Sequence, residues 1–291
     1  MTAITLDRLH TPEADQLRQF RATHSAKHLQ RADDRWEYFG SGRGTENLLI
    51  LPGLIGVAEM SFQLILAFES DYRVITPSYP SSVQTTAQLV KGIASILDVE
   101  GIWQTHVLGG SYGGMVAQGF VRQYPARVGR LILSHTGGPK AERASKSRQF
   151  AALMRWLPMG VLRWLLTHAG RKALQDAPAQ RAFWEAYTAE IAARLTKADL
   201  LARYVIAADF DATSNFSPDD LNDWTGRLLI LEGDNDPIAE APAREALKVF
   251  YPNARVHTFH GSGHVAPIAR VEEYVSVIKE FLQPEGKDRP P

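Results

Sequence analysis

The stretch HVLGGSYGGMVAQGF, residues 106–120, decides which fold the sequence predicts. An apolar run ends in a turn of four glycines around Ser111, and an amphipathic helical pattern follows. Small residues two before and two after the serine prevent a steric clash in a sharp strand-to-helix turn. Such a turn exposes the hydroxyl at the carboxyl end of the strand, beside a helix N-terminus that favours negative charge. Ser111 is therefore a candidate nucleophile, and the alternative is an idle serine in a glycine-rich turn.

Strands and helices alternate on both sides of this turn. Apolar runs at 46–53, 72–80 and 128–138 stand between helical patterns such as 83–101. Near-continuous apolar strands between helices are typical of a parallel sheet that is covered on both faces. A further strand at 35–40 is joined to 46–53 by the glycine-rich turn SGRG. The sequence therefore predicts an α/β fold with a mostly parallel central sheet flanked by helices.

The alternation stops between residues 140 and 225, where four helical patterns follow one another. It resumes with the apolar run of 225–234. We therefore expect a core of residues 1–139 and 226–291 and a helical cap, residues 140–225, inserted after the sixth core strand. The tail, 284–291, is expected to fray.

Aromatic side chains are frequent in the predicted cap. Trp156, Trp164 and Trp184 either form a small core of the cap itself or roof the site over the serine. His135, just beyond the strand at 128–138, is a further candidate for the rim of the pocket or a hydrogen-bonded loop residue. All four are candidate substrate-binding residues.

Composition narrows the class of protein. The 291 residues carry no net charge, so no basic face for nucleic acid is indicated. The absence of cysteine excludes disulfides and thiolate metal sites. No apolar segment approaches the ~18 residues of a membrane span, and the N-terminus lacks the pattern of a signal peptide. We expect a cytoplasmic protein with a small-molecule substrate.

A serine nucleophile needs a base, and three histidines stand near the end of the chain. His257 lies inside a predicted strand and His260 at its end. His264 follows a Gly-Ser-Gly turn and precedes the last helix, so a loop carries it to the carboxyl ends of the strands. We favour His264 as the base, with His260 as the next candidate.

An acid is needed to orient the base. The strand LLILEGDNDPI ends with Glu232, Asp234 and Asp236. Asp236 precedes Pro237 in the loop that faces the same rim, and we favour it as the acid. Asp234 is expected to cap its own turn.

The order Ser111, Asp236, His264 resembles that of α/β hydrolases, and the likeness extends over residues 34–283. The resemblance implies an oxyanion hole formed by the backbone amides of Leu54 and Tyr112. Many members have His-Gly in the first of these loops, where this chain has Pro52-Gly53. Segments such as RWEYFGSG and YRVITPSYP are also similar to the maspardin-like branch, which is associated with protein binding as much as with catalysis.

Three functions follow from these residues. The first is a serine hydrolase that cleaves a small ester, lactone, thioester or amide with an apolar acyl group through an acyl-enzyme. The second uses the same triad as a C–C hydrolase, lyase or acyltransferase. The third is a non-catalytic binding protein on a hydrolase scaffold. The first mechanism needs neither a metal nor an organic cofactor.

Overall fold

The computed structural model describes residues 6–31 and 34–283, and the predicted frayed tail lies outside them. Their strands are β1 (Lys27–Arg31), β2 (Asp34–Ser41), β3 (Glu46–Leu51), β4 (Tyr72–Pro77), β5 (Thr105–Gly110), β6 (Val128–Ser134), β7 (Arg227–Gly233) and β8 (Arg255–Phe259). Their α-helices are α1 (Pro12–Thr23), α2 (Phe62–Phe68), α3 (Thr86–Val99), α4 (Tyr112–Gln123), α5 (Ala141–Trp156), α6 (Met159–Ala173), α7 (Arg181–Arg194), α8 (Lys197–Thr213), α9 (Ala241–Phe250), α10 (Ala266–Ala269) and α11 (Val271–Leu282). None of the helices in these two ranges combines the length and apolarity needed to cross a bilayer.

The sheet has the strand order β1-β2-β4-β3-β5-β6-β7-β8. The six strands from β4 to β8 in this order run parallel to one another. The pairs β1–β2 and β2–β4 are antiparallel. This arrangement is an α/β-hydrolase fold and confirms the predicted, mostly parallel sheet.

The glycine-rich segment SGRG does not form a hairpin between β2 and β3, because β4 lies between those strands. The segment instead crosses the start of β4 at close range. A Cβ on Gly44 would lie 2.0 Å from the carbonyl oxygen of Asp71, and Gly42 adopts a φ of 85°. Only glycine allows both the backbone conformation and the close approach.

Alternate residues of the central strands pack into two different apolar clusters. In β3, Leu49 and Leu51 face the helices α3 and α4, whereas Leu48 and Ile50 face α2 and α11. All four side chains are buried. The sheet is therefore covered on both faces, as its near-continuous apolar strands predict.

Between β6 and β7 the described chain forms the four helices α5 to α8 and no strand. α5 packs on α8 and α6 on α7. The aromatic rings of α7 do not form a separate core: Trp184 and Tyr187 lie 6.0 and 5.9 Å, between ring centroids, from Phe62 of the sheet-packed helix α2. This contact anchors α7 next to the carboxyl ends of the strands.

Candidate active site

Ser111 occupies the turn between β5 and α4 with a φ of 52° and a ψ of −116°. Its amide donates to the carbonyl oxygen of Ser134 in β6, 2.8 Å away. A Cβ on Gly109 would lie 2.3 Å from the carbonyl oxygen of Gly113, and one on Gly113 would lie 2.1 Å from that of Leu51. The two glycines flanking the serine therefore allow β5, α4 and β3 to meet, as the sequence predicts.

His264 and Asp236 reach Ser111 from the loops after β8 and β7. The Nε2 atom of His264 lies 3.0 Å from the Ser111 Oγ, and its Nδ1 lies 2.8 Å from the Asp236 Oδ2. The Asp236 side chain is fully buried and that of His264 is 12% exposed. The three side chains thus form one continuous hydrogen-bonded chain, which is the geometry of a nucleophile, a base and an orienting acid.

Asp236 is held in its ionised form by its neighbours. Its Oδ1 accepts hydrogen bonds from the amides of Ile238 and Ala239 at 2.8 and 2.9 Å. Burial alone would raise the pKa of this carboxyl, but the hydrogen bond with His264 and these two amides outweigh burial and lower the pKa. A charged carboxylate beside Nδ1 stabilises the imidazolium that would form on proton transfer.

His260 and Asp234 form a second pair outside this chain. The Nδ1 of His260 lies 3.1 Å from the Asp234 Oδ2, and the Asp234 Oδ1 accepts from the Gly261 amide at 2.7 Å. Both side chains are exposed. Asp234 therefore holds the turn that precedes His264, and the hydrogen bond from His260 lowers its pKa.

Leu54 and Tyr112 are the two residues whose amides were predicted to form an oxyanion hole. Leu54 lines the same cavity as Ser111, and Tyr112 begins α4. Neither amide donates a hydrogen bond to another residue of the described chain. Tyr79 supports the Pro52-Gly53 loop by donating from its hydroxyl to the Pro52 carbonyl at 3.0 Å. Both amides are thus available to an oxyanion.

Sequence reasoning missed Arg203 of α8, which is 2% exposed. Its guanidinium donates to the Tyr79 carbonyl and packs against Gly56, where an added Cβ would lie 2.4 Å from Nε. Burial lowers the pKa of Arg203. The side chain therefore fixes α8 to the loop that carries Leu54.

A cavity of about 320 Å³ opens beside Ser111. Its walls include Met60, Leu64, Trp184 and Ile268. Within the described chain, histidines are the sole ionisable side chains that line it. The site is therefore predominantly apolar.

Trp184 and His135 line this cavity, whereas Trp156 and Trp164 do not. Trp156 is 88% exposed and Trp164 is 60% exposed. The buried face of α5 includes Met154 and that of α6 is formed by Leu162, so the two tryptophans project from the opposite helix faces. Neither alternative holds for these two tryptophans, so Trp156 and Trp164 are removed from the candidate substrate-binding residues.

His135 adopts a φ of 47° and is almost fully buried. Its Nδ1 lies 2.8 Å from the Ser134 Oγ, and its buried Nε2 has no hydrogen-bond partner among the described residues. Burial, followed by the charge of nearby His264, lowers the pKa of His135 to about 4.

The Alpha/beta hydrolase family model matches residues 48–277, so the chain belongs to this family. A 2-hydroxy-6-oxononadienedioate/2-hydroxy-6-oxononatrienedioate hydrolase of Burkholderia vietnamiensis is 26% identical over 86% of this chain and 91% of its own. A poly(3-hydroxyalkanoate) depolymerase of Ectopseudomonas oleovorans is 28% identical over 82% of this chain and 84% of its own. The crystal structure of an enol-lactonase from Burkholderia xenovorans shares the fold, with a TM-score of 0.74 and 17% identity over 88% of this chain and 99% of that one.

Proposed function

We propose that the protein is a serine hydrolase that cleaves a small ester, lactone, thioester or amide with an apolar acyl group. The observation that carries the proposal is the hydrogen-bonded chain from the Ser111 Oγ through His264 to the buried carboxylate of Asp236. A non-catalytic scaffold would have no need of a buried, ionised carboxylate behind a strained serine. Membership of a hydrolase family supports the same conclusion.

The reaction follows from the positions of these atoms. His264 Nε2 accepts the hydroxyl proton as Ser111 Oγ attacks the substrate carbonyl, and Asp236 stabilises the resulting imidazolium. The amides of Leu54 and Tyr112 bind the oxyanion, a role worth about 3–4 kcal/mol per donor. The imidazolium protonates the leaving group, and an acyl-enzyme remains. Water, deprotonated by His264, then releases the acid and restores the serine.

The cavity favours a neutral acyl group. Its walls are mostly apolar, and the described residues contribute neither lysine nor arginine to them. A carboxylate buried there would lose its hydration without a cationic partner. An aliphatic or aromatic acyl chain would instead gain contact with Leu64 and Trp184.

Hydrolysis of a C–C bond is the second candidate. It is supported by the similarity to the 2-hydroxy-6-oxononadienedioate hydrolases, whose name specifies a dicarboxylate substrate. The same serine, base and oxyanion donors would serve that reaction. The lack of a cation in the described cavity wall favours an ester over that dianion. The narrower likeness to the maspardin-like branch stays a prediction.

A labelling experiment tests the proposal. The wild-type protein should react stoichiometrically with a fluorophosphonate and hydrolyse p-nitrophenyl esters, with kcat/KM rising from acetate to medium-length acyl chains. Ser111→Ala should lose both activities and keep its melting temperature. Labelling of the alanine variant would move the nucleophile elsewhere, and an unlabelled wild-type protein would favour a binding function.

A second substrate separates the two reactions. The ester series is run beside a 2-hydroxy-6-oxo dienoate that ends in a carboxylate and one that ends in a phenyl group. We expect ester cleavage to have the higher kcat/KM. A higher kcat/KM for the carboxylate-ended dienoate would contradict both the ester proposal and the argument from the uncharged cavity.

A further inference from the structure

Large apolar side chains are exposed around the junction of α5 and α6, and residues 141–173 are called the α5–α6 segment below. Leu153, Trp156, Val161 and Trp164 all project into solvent there. They are four of the nine large apolar residues that are exposed in the described chain, and they fall within residues 153–164. The other five are dispersed along the chain. Single exposed apolar residues are ordinary, but such a cluster marks an interaction surface.

The α5–α6 segment does not need these side chains for its own packing. Met154 and Leu162, on the inner faces of α5 and α6, form a buried cluster with Leu195 and Leu200. The outer residues repeat at a spacing of three, Leu153 with Trp156 and Val161 with Trp164, which places each pair on one helix face. The exposed surface is therefore additional to the core.

The α5–α6 segment is also strongly basic. Residues 141–173 contain seven lysines and arginines and a single acidic residue, whereas the whole chain has 32 of each sign. Arg143 and Arg171 pair with Asp211 and Glu185. The exposed basic residues that form no ion pair within the described residues are Lys146, Arg148, Arg155 and Lys172. The positive charge is thus free to meet an external partner.

We infer that the α5–α6 segment docks on the surface of an anionic lipid bilayer. Tryptophan at the junction of α5 and α6 suits the interface between headgroups and acyl chains, where Leu153 and Val161 gain an apolar environment. The unpaired lysines and arginines of the same two helices bind the lipid phosphates. Charge complementarity selects this occupant. A second copy of the chain would bring two basic segments together, and nucleic acid would leave the aliphatic side chains in water.

The docking surface adjoins the cavity. Ile55 and Val57, which line the cavity, pack against the same cluster as Met154 and Leu162. Docking would therefore hold the cavity-lining loop close to the bilayer. The inference itself does not depend on which reaction the site performs.

Vesicle flotation tests the inference. The full chain is mixed with vesicles of phosphatidylcholine alone or of equal parts phosphatidylcholine and phosphatidylglycerol, at low and at high salt. We expect binding to the anionic vesicles at low salt and little binding in the other mixtures, because salt and neutral lipid both remove the attraction. Arg148→Gln/Arg155→Gln should weaken the partition about 30-fold. Trp156→Ser/Trp164→Ser should weaken it at least about tenfold.

Matched variants elsewhere on the surface provide the controls. Two double variants, Arg43→Gln/Lys91→Gln and Val99→Ser/Trp103→Ser, change exposed residues outside the α5–α6 segment. Both should bind the vesicles as the wild type does. Circular dichroism and thermal melts check that every variant is folded. The inference is overturned if the variants of the α5–α6 segment bind as well as the control variants do. It is also overturned if the wild type fails to float. Light scattering that detects a dimer lost in the tryptophan variant, or oligonucleotide binding without flotation, assigns the surface to those partners instead.

Discussion

Replacing Asp236 with asparagine tests the proposed triad at its buried end. The Oδ1 of Asp236 accepts hydrogen bonds from the amides of Ile238 and Ala239, so the side-chain oxygen of asparagine will take this position. Its NH2 group then faces the Nδ1 of His264. An NH2 donor there stabilises the tautomer that carries its proton on Nε2. Such a ring donates to Ser111 instead of accepting its proton.

The expected loss follows from this tautomer. In triads of this geometry the same substitution lowers kcat by about 10⁴, which corresponds to about 5.5 kcal/mol of transition-state stabilisation. The fold should lose far less, because both amide bonds to residue 236 survive. Exchanging the charge-assisted bond to His264 for a neutral one costs about 0.5–2 kcal/mol.

The assay is kcat on a p-nitrophenyl ester, with thermal melts in parallel. Asp234→Asn is the matched control, since Asp234 likewise pairs with a histidine and accepts from a backbone amide but lies on the surface. We expect kcat of the control within about twofold of the wild type. An Asp236→Asn enzyme that keeps a tenth of the activity would refute the reasoning. A larger loss in Asp234→Asn would transfer the role to that residue.

Two further predictions concern the walls of the cavity. His135 has a pKa of about 4 in the folded protein, so the unfolded chain binds a proton more readily between that pH and its ordinary value near 6.5. The free energy of unfolding should therefore fall by about 3 kcal/mol as the pH drops through this window, and the loss should shrink in His135→Asn. Equal pH profiles of unfolding for the two proteins would contradict this. Trp184→Ala should shift the acyl-chain preference in kcat/KM about 10–200-fold and lower the melting temperature. Trp156→Ala, the control, should change neither. An unchanged preference in Trp184→Ala would remove this residue from the substrate site.

The central sheet could be predicted because its signal is local. Residues of β3 alternate between two buried clusters, so the strand is apolar on both faces and stands out in the sequence. β1 gives no such signal, because its residues are mostly exposed and it is held by pairing with β2. β4 lies between β2 and β3, where its first residues come close to Gly44. This pairing joins segments that are far apart in the chain, and composition alone does not specify it.

The site divides in the same way. Ser111 could be identified because the glycines that flank it are required by close contacts within one turn. Asp236 could be identified because it lies in the loop that follows β7. The exposed face of Trp156 is set by the packing of α5 on α8, which periodicity does not resolve in a helix with few apolar residues. Arg203 donates to the carbonyl of Tyr79, which lies 124 positions away in the chain, so no local sequence pattern predicts this contact.

The positive φ of Ser111 has a consequence for the descent of this chain. A non-glycine residue held in such a conformation costs about 1–3 kcal/mol, and glycine would adopt it with little strain. The residue that carries the strain is also the one whose hydroxyl the proposed reaction requires. Stability and catalysis therefore exert opposite selection on a single codon. A copy of the gene released from its reaction would gain stability by replacing Ser111 with glycine, before any change in the surrounding fold.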